Sequence, residues 1–152
     1  MRNEVTFSRE PACDAYEQLL TFAASRCATF LLVVTRGLDL SDEAKTLLLR
    51  LQPFELRRGH SRRWPGTELL DDEALVIEFL FKAEARTILM NAASRLFEWQ
   101  QPSHPEDLCL LDSSGQPWLV TIAHERHAYL VISQEELETM KQEAPALHAC
   151  LV

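Results

Sequence analysis

The chain has 152 residues, 47% of them hydrophobic, the size and apolar content of one ordinary domain with a core of its own. A formal net charge of -8 excludes binding driven by nonspecific attraction to a phosphate backbone, so no nucleic-acid partner is expected and a basic protein partner is favoured. No apolar run approaches the length that spans a bilayer, the N-terminus lacks the apolar centre of a signal peptide, and Cys13, Cys27, Cys109 and Cys150 form no C-x-x-C pair. A cytoplasmic chain with reduced thiols, no membrane contact and no cofactor is the expectation.

Taken in chain order, residues 13–26 place Tyr16, Leu19, Leu20 and Ala23 at helical spacing behind Pro11, which predicts a helix. The run from Ala28 to Thr35 is short, apolar and rich in β-branched residues, the pattern of a strand buried on both faces. Ser41 has N-cap chemistry, with Asp42 and Glu43 near the positive end of a second helix. Leu47, Leu48 and Leu51 form its buried stripe and Pro53 stops it. Phe54 and Leu56 alternate with polar neighbours as a strand, after which LRRGHSRRWPGT reads as a surface loop or hairpin.

Ala74 to Phe81 is a further strand. From Glu84 to Trp99 the period moves to 3.6, with Ile88, Ala92, Leu96 and Trp99 on one face, which predicts a long third helix ended by Pro102 and Pro105. Asp107 to Leu111, Trp118 to His124 and Ala128 to Ile132 are apolar runs separated by DSSGQP and the HERH region, the pattern of an antiparallel meander. Ser133 and Glu136 have capping-box spacing and open a last acidic helix over Gln134 to Gln142. Residues 1–152 therefore read as a single α+β domain, with a mixed or antiparallel sheet covered by three to four helices.

Three constellations stand apart from this frame. His104, Glu106, Asp107, His124, Glu125 and His127 carry nitrogen and oxygen atoms suited to zinc and related ions. Their spacing is not H-E-x-x-H, and positions three apart on an extended strand point to opposite faces. Bracing of loops by hydrogen bonds is therefore favoured, and no metal ligand or catalytic residue is assigned. Were the chain a small metal-assisted or histidine-based enzyme, His124 beside Glu125, with His104 nearby, would carry the chemistry.

The second constellation is Arg57, Arg58, His60, Arg62 and Arg63, followed by Trp64-Pro65-Gly66-Thr67. Arginine forks hold phosphate or carboxylate, so an anion or nucleotide regulator is one alternative; without a glycine-rich phosphate loop, pairing with the protein's own acids is favoured. The third is acidic: Glu68, Asp71, Asp72, Glu73 and Glu78, then Glu135, Glu136, Glu138 and Glu143. Such runs are solvated faces that also complement a basic protein. Trp99 and Trp118 read as core, whereas Trp64, in a Pro-Gly loop beside arginines, has the composition of an exposed interface anchor.

WPGT at Trp64–Thr67, LFEW at Leu96–Trp99 and the PEDLCLL…GQPWLVTIAHE pattern from Pro105 to Glu125 together resemble small bacterial proteins of the kind that serve as immunity partners of antibacterial toxins. The resemblance covers about the C-terminal two thirds of the chain and carries no catalytic residue with it. It implies a non-enzymatic protein-binding module that occludes the active cleft of a toxin. The residues themselves offer Trp64, Arg58, Arg62, Glu135 and Glu138 as the interface. Thiol counting under denaturing, nonreducing conditions checks the compartment: four free thiols per freshly purified chain are expected, and a lower count would contradict cytoplasmic residence.

Overall fold

The computed structural model describes residues 1–151. Its elements in chain order are β1 (Arg2–Thr6), α1 (Asp14–Ala23), β2 (Thr29–Val34), α2 (Asp42–Leu51), β3 (Glu55–Ser61), β4 (Arg63–Trp64), β5 (Thr67–Glu68), β6 (Ala74–Leu80), α3 (Ala83–Ala92), β7 (Glu106–Leu111), β8 (Pro117–Ile122), β9 (His127–Ser133), α4 (Gln134–Glu143) and α5 (Pro145–His148). Seven strands form one sheet in the order β1-β9-β8-β7-β2-β6-β3, and β4 pairs with β5 as a separate hairpin. Every pairing is antiparallel, which settles the mixed-or-antiparallel alternative. No helix among the described residues is long and apolar enough to cross a membrane.

Alternation along β2 shows how the layers divide. Phe30 and Leu32 join the main core with residues of all five helices, whereas Leu31 packs with Cys109 and Leu111, and Val33 packs with Trp64 and Ala74. Successive strand residues face opposite sides. The helices therefore cover one face, and the β4–β5 hairpin covers part of the other.

Two polar devices hold the helical layer. At α4, the Ser133 side chain accepts from the Glu136 N–H while the Glu136 carboxylate accepts from the Ser133 N–H and from Trp118 Nε1 at 3.0 Å. Between α1 and α3, the buried Tyr16 hydroxyl donates to the Leu89 carbonyl at 2.7 Å and accepts from Trp99 Nε1 at 3.1 Å. Burial, with the nearby Glu98 charge, pushes the Tyr16 phenol far above its ordinary range, against the Trp99 hydrogen bond, which lowers it.

Three elements depart from the sequence expectation. The third helix stops at Ala92: Ala93 is extended, the Ser94 N–H and hydroxyl turn to the Glu98 carboxylate, and the Leu96 N–H donates to the Pro11 carbonyl. Those tertiary partners outcompete further helix, and Leu96 to Glu98 becomes a 3₁₀ turn that still buries Leu96 beside Trp99. The polar stretch read as a loop from Leu56 is edge strand β3 as far as Ser61, held by pairing with β6 and by the 2.9 Å Arg57–Glu78 ion pair. β1 carries no apolar signal because an edge strand with exposed side chains needs none.

Tyr16→Phe removes one hydroxyl and strands the Trp99 N–H and the Leu89 carbonyl in the core. A loss of about 1–3 kcal/mol in urea unfolding is expected, with the native circular dichroism spectrum retained. An unchanged midpoint would show that the network contributes nothing to stability.

Candidate functional site

The polar residues of the C-terminal meander converge where β7 begins. β2 pairs Leu31 with Cys109 but Val33 with Glu106, so β7 holds one extra residue and bulges there. Asp107 sits in this bulge with φ 54°, a left-handed conformation that aspartate tolerates better than most residues. The irregularity suspends strict alternation. Glu106 and Asp107 are thereby both buried and near the same third group, His124, which comes from the 3₁₀ turn Ala123–Glu125 after β8. One ligand atom from each of the three residues lies within 4.8 Å of the others.

Each carboxylate is anchored by its surroundings. Asp107 Oδ1 accepts from the Ala123 N–H at 3.0 Å, and Oδ2 accepts from Trp64 Nε1 at 3.1 Å. Glu106 Oε1 accepts from the Gln101 N–H at 2.8 Å. The Gln101 carboxamide in turn accepts from the Thr35 N–H and donates to the Leu38 carbonyl, so the chain around Glu106 is joined to the loop after β2. Burial raises both carboxyls above the usual carboxylate range, against hydrogen bonds that lower them, and the charge of Asp107 raises Glu106 further. No Lys or Arg forms an ion pair with either among the described residues.

This arrangement reassigns the residues expected from sequence. Trp64 is not an exposed anchor: it is 8% exposed, because the hairpin packs on the sheet and delivers its indole N–H to Asp107. Gly66 permits that approach, since a Cβ there would lie 2.6 Å from Val120 Cγ1. His124 and Glu125 are adjacent, at 3.6 Å between Nε2 and Oε2, but both are largely exposed. His104 lies outside the cluster; its Nε2 meets the Ala92 carbonyl at 2.6 Å and its ring packs edge-on against Trp99. His127 packs beside Tyr129 instead.

The arginines are engaged by the protein itself. Arg58 forms a fork on Glu55 at 2.6 and 2.8 Å, Arg63 pairs with Glu68 at 3.4 Å, and Arg62 donates to the Leu69 and Leu70 carbonyls. Glu135 and Glu138 are exposed on α4 and form no ion pair among the described residues. A depression of about 300 Å³ between α1 and the end of α4 is lined by the further acids Asp14, Glu17 and Glu143. The one cation lining it, Arg26, lies 3.7 Å over the Phe22 ring and 3.6 Å from Glu136.

No family model matches the chain, and neither the curated proteins nor the solved structures include a significant match.

Sequence reasoning placed Glu106 and Asp107 among the candidates, as residues that cap or brace the entry to the first meander strand, and it passed over Gln101. The available signal was two successive acids opening the apolar run LCLL, where a strand buried on both faces leaves them no solvent. Trp64→Phe decides between brace and anchor: a loss of about 1–3 kcal/mol of unfolding free energy is expected, because Asp107 loses a buried donor. A variant as stable as the parent would return Trp64 to the surface role.

Proposed function

We propose that the chain is a non-enzymatic protein-binding module of the immunity type, a cytosolic protein that neutralises a basic toxin domain or similarly charged partner by covering its active cleft. The observation that carries this reading is the acidic depression between α1 and α4. Asp14, Glu17 and Glu143 line it without an ion-pair partner among the described residues, and Glu135 and Glu138 extend the same charge along α4. A lysine or arginine inserted from a partner would meet several carboxylates at once.

Rigid support favours binding without reorganisation. The Tyr16 bridge fixes α1, and the capping box with the Glu136–Trp118 bond fixes α4, so the charges are presented on pre-ordered helices. Unpaired surface charge acts mainly on association, by steering encounter and excluding wrong partners. The interface thereby moves away from Trp64, which is buried, and from Arg58 and Arg62, which are engaged, to the α1–α4 side.

Affinity capture from native lysate followed by kinetic binding tests this. A single stoichiometric partner with a basic surface is expected, and Glu17→Lys with Glu143→Lys should slow its association about tenfold or more and flatten the salt dependence. A partner that binds the folded double variant like the parent, or whose contact surface is not basic, would overturn the proposal.

A further inference from the structure

Glu106 and Asp107 are 5% and 2% exposed, neighbours in sequence and in space, and no lysine or arginine among the described residues pairs with them. Charges buried in this way persist when they are paired, protonated or bound to a metal ion. The third nearby group is an imidazole, the commonest protein ligand for transition metals. We infer that Glu106, Asp107 and His124 form a binding site for a divalent transition-metal ion of the zinc or manganese class.

Three features support the assignment. The donor set is one nitrogen and carboxylate oxygens, which suits zinc or manganese, whereas magnesium and calcium take oxygen ligands throughout. Both carboxylates are already oriented by donors behind them, namely Trp64 Nε1, the Ala123 N–H and the Gln101 N–H, as the outer partners of metal ligands are. The remaining ligand is the adjustable one. Ligand atoms about 2.1 Å from a tetrahedral zinc lie about 3.4 Å from one another. A set whose atoms lie within 4.8 Å of one another needs at most a modest closure to reach that spacing, and His124, 59% exposed on a short turn, can supply it without disturbing the core.

A bound ion would clamp the turn after β8 to the bulge of β7, beside the hairpin that carries Trp64. The open side at His124 leaves a coordination position for water or for a partner's side chain. This site does not depend on the acidic α1–α4 surface, and either reading can fail without the other.

The test is calorimetric titration of the chelator-treated full chain with zinc chloride and with manganese chloride, with magnesium chloride as control. One zinc or manganese ion per chain is expected, with weak or no response to magnesium. His124→Ala, which alters an exposed side chain and should preserve the fold, should weaken binding at least about tenfold. Trp64→Phe should weaken it by about 10–100-fold through the Asp107 carboxylate, and His104→Ala should leave it unchanged. Absence of saturable binding by either metal, or binding that His124→Ala does not weaken, would overturn the site. Should Trp64→Phe fail to fold, the His124→Ala comparison decides alone.

Discussion

The structure turns on one buried carboxylate. Asp107 accepts the indole N–H of Trp64 on one oxygen and the Ala123 N–H on the other, so a single side chain joins the start of β7, the β4–β5 hairpin and the turn that ends β8. Hydrogen bonds to a charged group are stronger than neutral ones and costly to leave unmade in the interior. The bulge and the left-handed backbone at Asp107 follow from that demand. An unbroken ladder would place Glu106 and Asp107 on opposite faces of the sheet.

The opposite face depends on ordinary apolar packing, steered by a few polar ties. The Phe30 and Phe79 rings stack on adjacent strands beneath the helices, with centroids 4.9 Å apart. Glu10 performs a similar joining role at the surface of this layer. Its carboxylate accepts the Phe97 N–H at 2.7 Å and lies 3.3 Å from Arg126, so the segment before α1 is tied to both the 3₁₀ turn after α3 and the turn before β9. Such ties explain why α3 gives way where its apolar spacing would continue.

Charge is distributed with a clear asymmetry. Arginines of the β3 edge and the hairpin are matched to nearby acids or carbonyls, and exposed pairs of this kind add at most about 1 kcal/mol each. Their greater service is to blunt an edge strand that would otherwise pair with other chains. The acids of α1 and the outer face of α4 form no ion pair among the described residues. Solvation suffices for their stability, so any energetic use for them arises on contact with a positively charged surface.

Much of the fold is legible in the amino-acid order, because its signals are local. The β-branched run of β2, the Ser41 and Ser133 caps and the turn residues between the meander strands each specify their element through backbone and side-chain chemistry within a few positions. The acidity that directs attention to α4 is equally plain from composition. Neighbours remote in sequence decided the rest. Helix α3 ends where Pro11 and Glu10 offer better partners, LRRGHS becomes a strand because β6 presents an open edge, and Trp64 is buried because Asp107 waits 43 positions away. The Glu106–Asp107–His124 cluster belongs to this second class. Strand periodicity separates such residues, and only a bulge, formed where two strands slip by one residue, brings them together.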